Sequence, residues 1–224
     1  MKNSDKLKRY SMFIAGVIFS ALGISLITKA GLGTSPITSL AFVLTFIFPH
    51  SLGEFTMLVN TVMFLIQAAL LGKAFGKVQL LQLPAALLFS ACIDGWMYIL
   101  GFWKTGSYVG QVLMLLLGCV FLGLGIAFEV IPNVLILPGE GLVRVIAGLT
   151  GWRVGLVKTG FDMSIVASAV GVSLFFTGHV LGIREGTVLA ALIVGSISHF
   201  FIEKVSNVLE GWIPDYSDAG DACP

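Results

Sequence analysis

The chain reads as long apolar runs broken by short clusters of glycine, proline and charge. A hydrocarbon core about 30 Å thick needs roughly 20 apolar residues as helix. Six stretches meet that length: 11–28, 54–72, 79–101, 109–130, 155–177 and 186–205. Two more, 36–49 and 138–150, follow Pro36 and Pro138 and fall short of a comfortable crossing at about 1.5 Å per residue. They are expected to be half-helices or re-entrant segments. The second carries Glu140 and Arg144, so it should be sheltered by protein or line a watery cavity, the alternative being an interfacial loop helix.

Shifting the sequence against itself by 102 residues aligns Leu22-Gly23-Ile24 with Leu124-Gly125-Ile126, Pro36 with Pro138, Leu40 with Leu142, Gly53 with Gly155, and Asn60 with Asp162. A shift of 105 aligns Ala85-Ala86-Leu87 with Ala190-Ala191-Leu192 and sets Asp94 opposite His199. Leucine, glycine and alanine coincidences are cheap in such a composition; the paired prolines and paired polar positions are not. Each half then reads as span, short Pro-initiated segment, span, span. Three crossings per half would turn the second copy upside down, an inverted-topology repeat of the kind secondary transporters use. A duplication kept only for packing is the alternative. The expected divisions are a basic N-terminus (1–10), a first membrane repeat (11–107), a second (108–205) and a short acidic tail (206–224).

Composition agrees: 57% of the 224 residues are hydrophobic, 11% are charged and mean hydropathy is +0.98, against about 25% charged residues in a soluble domain. A water-soluble fold and a nucleic-acid partner are both set aside, and the lipid bilayer is the expected surrounding. The run after the basic start lacks a small-residue cleavage pair and reads as a retained span. If the short segments do not cross, the N-terminal cluster (Lys2, Lys6, Lys8, Arg9), Lys73, Lys77, Arg153 and Lys204 share one face, leaving Lys29, Lys104 and Arg184 on the other. The positive-inside rule then places the N-terminus in the cytoplasm of a bacterial inner membrane. Crossing by the short segments would move Lys73 and Lys77 out and Lys104 in, a slightly worse fit to that rule. Cys92, Cys119 and Cys223 show no CxxC spacing, and His50, His179 and His199 no metal-ligand spacing, so neither metal nor cofactor is expected. Nucleotide-loop, H-E-x-x-H and G-x-S-x-G motifs are absent, and an enzyme is not expected.

The segments LGISLITKAGLGTSPI (22–37), VGLVKTGFDMSIV (154–166) and REGTVLAALIVGSI (184–197) resemble the YczE and YitT-like group of bacterial membrane proteins. The resemblance covers roughly residues 8–205 and is nearest the YczE branch, without the extra soluble C-terminal domain typical of the YitT branch. It implies the membrane fold and no particular substrate.

Ionisable residues inside a span cost at least about 2.5–3.5 kcal/mol on insertion scales and are functional candidates by default. Asp162 lies about 12 Å into its span, with Lys158 four residues earlier on the same face. They read as a ligand site or as a structural ion pair. Asn60 is the repeat partner of Asp162, and Asp94 with His199 would suit a proton relay or plain interhelix bonding. In Gly31-Leu32-Gly33-Thr34-Ser35-Pro36, Ser35 or Thr34 is expected to cap the short helix, whose free N–H groups would suit an anion. Glu140 marks the matching turn, and Glu129 with Arg144 reads either as a pair across the second cavity entrance or as two side chains that snorkel to the interface. The resulting reading is a secondary carrier of a small solute, coupled to protons or ions, with Asp162, Lys158 and Asn60 at a central site. A substrate-binding subunit needing an energising partner, and a non-transporting accessory or regulatory protein, are the alternatives; the substrate and a homodimer are left open.

Overall fold

In lipid, a backbone can satisfy its own N–H and C=O groups only within helices or a closed barrel, and the apolar runs of this chain fold as helices. The computed structural model describes residues 3–103 and 106–209. Among these residues the helices are α1 (Asn3–Lys29), α2 (Ser39–Ile47), α3 (Leu52–Leu71), α4 (Gln82–Ile99), α5 (Tyr108–Val130), α6 (Pro138–Thr150), α7 (Val154–Thr177) and α8 (Glu185–Leu209). Six are long and apolar enough to cross a membrane, and they are the six runs expected from the sequence. The protein is an all-α, multi-pass membrane protein. The short segments are α2, preceded by a 3-10 turn at Pro36–Thr38, and α6. Lys2, Lys104 and the tail with Asp215, Asp218 and Asp221 lie outside the described residues.

Each short segment begins and ends at the same end of the helix bundle. The first leaves from Gly31, whose carbonyl accepts a bond from Arg184 Nη1 at 3.3 Å. It ends where Phe42 and Phe46 lie against Gly182 and where the Phe48 ring meets Phe176, centroids 6.0 Å apart. Gly182 and Arg184 belong to the α7–α8 turn and Phe176 closes α7, so both ends share one face. Between them the chain dips to Ile37, which abuts Gly139 at the start of α6. The second segment leaves from Pro132, whose carbonyl accepts from Arg9 of α1 at 3.2 Å. It returns to the base of α7, where Val143, Ala147 and Val157 pack together. The segments thus enter from opposite faces and meet inside. The start of α1 and the end of α8 share what is called here the N-terminal face.

The core is the antiparallel pair α1 and α5. A β-carbon at Gly16, Gly23, Gly118 or Gly125 would fall under 3.0 Å from facing backbone, with Gly16 opposite Gly125 and Gly23 opposite Gly118. Lipid supplies no hydrophobic drive between helices, so close backbone approach at small residues, which maximises dispersion contact, holds such pairs together. In the 102-residue register Gly16 corresponds to Gly118 and Gly23 to Gly125: each helix presents the same two glycines to the other. The packing around this pair follows the same register. Helix α1 meets α4 as α5 meets α8, α2 meets α7 as α6 meets α3, and α2 meets α3 as α6 meets α7. One pair departs from it: α3 packs on α4, whereas α7 and α8 make no comparable contact. Even a backbone bend is shared, since Gly31 (φ +75°) and Asn133 (φ +45°) occupy equivalent positions. The left-handed region is strained for most side chains, and Asn tolerates it better than most.

Candidate functional site

Helices α6 and α7 bring three of the expected site residues together. Lys158 Nζ bonds Glu140 Oε1 and lies 4.0 Å from Asp162 Oδ2. Lys158 reaches Asp162 because the two are one helical turn apart, and reaches Glu140 because α6 starts in the interior and passes the base of α7. The other Asp162 oxygen, Oδ1, is buried without a partner. Glu129, on α5, accepts from Ser20 Oγ of α1 at 2.6 Å and lies within electrostatic reach of Glu140 and Lys158. Two carboxyl groups therefore flank one ammonium, with a third, bonded to Ser20, further off. The pairing of Glu129 with Arg144 does not occur, because the α1–α5 approach turns Glu129 onto Ser20.

The first half answers this cluster with neutral residues at equivalent positions: Thr38 for Glu140, Thr56 for Lys158, and Asn60 for Asp162. All are buried, and each bonds locally. Asn60 Nδ2 donates to Thr56 O at 3.0 Å and Thr56 Oγ1 to Leu52 O at 2.7 Å, within α3. Asn60 is thus placed at the repeat-equivalent position but makes no hydrogen bond with the Lys158 cluster. Thr34 and Ser35 do not cap α2 in the expected way: the turn at Pro36 has no side-chain cap. Their hydroxyls instead form a buried chain, Thr28–Thr34–Thr38–Ser35, with oxygen separations of 2.8, 3.1 and 2.7 Å.

Asp94 and His199 are not brought together. Asp94 accepts from Ser51 Oγ at 2.6 Å and from Gly53 N at 2.7 Å, binding α4 to the start of α3. Ser51 and Glu54 form a reciprocal capping box there, so Asp94 extends an N-cap onto a second helix. His199 lies exposed on α8. Gly155, the equivalent of Gly53, has open space around it, which follows from the separation of α7 and α8.

The two faces differ in how they are sealed. Opposite the N-terminal face, the extended stretch after α1 is latched to the start of α8 by three bonds: Arg184 Nη1 to Gly31 O (3.3 Å), Gly186 N to Leu32 O (2.9 Å) and Thr34 N to Thr187 Oγ1 (3.1 Å). The 102 and 105 registers carry these pairs onto Gln79 and Asn133, Leu81 and Val134, and Gln82 and Ile136. None of those three pairs is bonded among the described residues. In their place lies a cavity of about 220 Å³, lined by Gln67, Gln79, Gln82, Asn133, Gly141 and Arg144 among others. Gln67 and Gln82 were not singled out from the sequence; the available signal was a lone glutamine within each of two apolar helices.

The fold and this site define a polytopic membrane protein with a polar interior built on two short helices. The chain belongs to the DUF6198 family, a family of unknown function, which it matches over residues 7–203. It is 28% identical over 217 residues to the uncharacterized membrane protein YczE of Bacillus subtilis (strain 168), covering 96% of this chain and 95% of that protein. To the uncharacterized protein YyaS of the same organism it is 27% identical over 201 residues, covering 88% and 94%. No solved structure matches the chain.

Proposed function

We propose that the protein is a secondary carrier that moves a small solute across the bacterial inner membrane by alternating access between two inverted repeats. The observation that carries this reading is the latch: three bonds close one face, and of the six equivalent residues on the other face Gln79, Gln82, Asn133, Val134 and Ile136 line a cavity instead. In an inverted repeat the halves can exchange conformations, so that the open face closes as the closed face opens. The antiparallel α1–α5 pair and the meeting of Ile37 with its own equivalent Gly139 give the pseudo-symmetric frame about which such an exchange turns. Basic residues favour a cytoplasmic N-terminal face: Lys6, Lys8, Arg9, Lys73, Arg153 and Lys204 gather there, against Lys29 and Arg184 opposite. The conformation described is then open inward.

Glu129, Glu140 and Asp162 around Lys158 provide more acid groups than cations, the arrangement by which a proton or cation couples to solute movement. The test is a paired-cysteine variant, Gln79→Cys with Asn133→Cys, in a background lacking Cys92, Cys119 and Cys223. Alternation predicts a cross-link across the N-terminal face, and, once formed, faster alkylation of a cysteine placed at Ala30 beneath the opposite latch. A pair that never cross-links in membranes would defeat the carrier reading and favour the accessory or regulatory one.

A further inference from the structure

Gln67 and Gln82 are out of place in an apolar helix bundle unless something polar meets them. Gln67 is 2% exposed and Gln82 6%, and Oε1 of each has no partner, not even the other amide. Both amides converge on Gly141, where a β-carbon would stand 2.8 Å from Gln67 Oε1 and 3.1 Å from Gln82 Nε2. Buried polar side chains are normally bonded, and an unpaired one calls for a cause. One turn further along α6, Arg144 lines the same cavity, half-buried, and forms no ion pair among the described residues. Its guanidinium is a planar fork matched to a carboxylate. The volume of about 220 Å³ equals roughly seven waters at ~30 Å³ each, below the range of drug-sized sites.

We propose that this cavity binds a small carboxylate with a hydrogen-bond donor on the adjacent carbon, a 2-hydroxy acid or an amino acid. The carboxylate sits on Arg144 and the donor reaches the Gln67 and Gln82 amides. The atoms left without a partner among the described residues are the two amide oxygens, which accept, so a donating hydroxyl or ammonium satisfies them. Gly141 is required because any side chain there would fill the space between the amides. The proposal names the solute class of the carrier and rests on that reading for the direction of access. It also explains what closure would do: forming the Gln79–Asn133 and Gln82–Ile136 contacts draws the cavity wall over a bound ligand.

The experiment titrates the purified full chain in lipid nanodiscs with lactate, glycine, serine, propionate and inorganic phosphate, read by calorimetry and by melting temperature. Lactate or an amino acid should bind saturably and at least tenfold tighter than propionate, which lacks the donor; comparing lactate with glycine and serine separates the hydroxy from the amino acid. Arg144→Gln should weaken that binding tenfold or more, and Gln67→Leu should abolish the preference over propionate. Val145→Phe, which fills the cavity without touching the charge, should block binding in a chain whose unliganded melting temperature shows it folded. No binding by any carboxylate, binding of phosphate alone, or wild-type affinity in both Arg144→Gln and Val145→Phe would overturn the proposal. The Gln79–Asn133 cross-link needs no ligand. A cross-link without carboxylate binding removes this site and leaves the carrier, and binding without a cross-link does the reverse.

Discussion

Replacing Thr187 by valine tests whether the latch sets the balance between two conformations. Thr34 and Thr187 are 0% and 1% exposed, and Thr187 Oγ1 accepts the Thr34 backbone N–H at 3.1 Å. Valine keeps the shape and removes the acceptor, leaving a buried N–H unpaired at a cost of about 1–3 kcal/mol. In the alternate conformation the same N–H would face water, as the Ile136 region lines the open cavity now, so the cost falls on one state only. The equilibrium should shift by about 5- to 150-fold toward opening of that face. The Gly186–Leu32 bond, at 2.9 Å, remains and limits the change to a shift rather than a collapse.

The assay is the alkylation rate of Ala30→Cys in a chain lacking its native cysteines. Ala30 is fully buried beneath the latch, so its modification reports the fraction of time that face is open. Thr187→Val should speed labelling at Ala30 about tenfold or more and slow labelling of a cysteine at Gln79, while Thr187→Ser restores both rates. If Thr187→Val leaves Ala30 protected, the latch does not govern access. If both sites speed up together, the variant has loosened the fold and the two faces are not coupled.

The remaining predictions concern the supports of the site. Asp94→Ala should lower stability by about 2 kcal/mol, since it removes two charge-assisted bonds to the start of α3; Asp94→Asn should cost about half as much and leave Gln79–Asn133 cross-linking intact, as measured by thermal unfolding and cross-link yield. His199→Gln should change the melting free energy by less than about 0.5 kcal/mol, because an exposed residue without a bonded partner contributes little. Lys158→Met should destabilise by about 1–2 kcal/mol, part of it recovered in Lys158→Met with Glu140→Leu, and a double-mutant cycle should show coupling of at least about 0.5 kcal/mol. Gly23→Ala should cost about 1–3 kcal/mol by pushing α1 off α5; unaltered stability would mean that the helices separate freely there.

Much of the fold was legible because a bilayer restricts the choices. Six runs of sufficient length became six crossing helices, and Pro138 marked the first residue of α6. Lys158 with Asp162 was legible as well, since a turn of helix fixes their spacing. Partners on other helices were not. Asp94 read either as half of a relay with His199 or as a plain interhelix bond, and it makes the second, to Ser51 and Gly53 at the start of α3 and not to His199. Glu129 read as the partner of Arg144 or as a snorkelling side chain because both lay near one entrance, whereas the glycine-mediated approach of α1 delivers Ser20 to it. Thr34 and Ser35 read as caps because such residues precede helices, but a network of four buried hydroxyls offers each a nearer partner. For Asp94 and Glu129 a contact between distant segments took precedence, and for Thr34 and Ser35 a hydroxyl chain local to the turn.

The most consequential departure from symmetry is chemical. Thr38, Thr56 and Asn60 in one half face Glu140, Lys158 and Asp162 in the other at equivalent positions. A pair of identical halves would have two conformations of equal energy, and a solute would have no reason to favour either. Placing the charges at these three positions in one half changes that. The Lys158 ammonium holds Glu140 across α6 and α7, so any ligand, proton or cation that competes for one of them alters the packing of α6 on α7 and leaves α2 on α3 untouched. Glu140 precedes Gly141 on α6, the glycine on which the Gln67 and Gln82 amides converge, and Arg144 follows one turn later. One short helix therefore carries both a member of the ion cluster and two residues that line the cavity. On the proposed carrier reading, a shift of α6 that loosens the Lys158 contact would move Gly141 against the amides and link occupancy of the two sites. A coupled carrier needs such a linkage, and thermodynamics would make it reciprocal: a solute in the cavity would change the affinity of the Lys158 cluster for its proton or cation by the same factor.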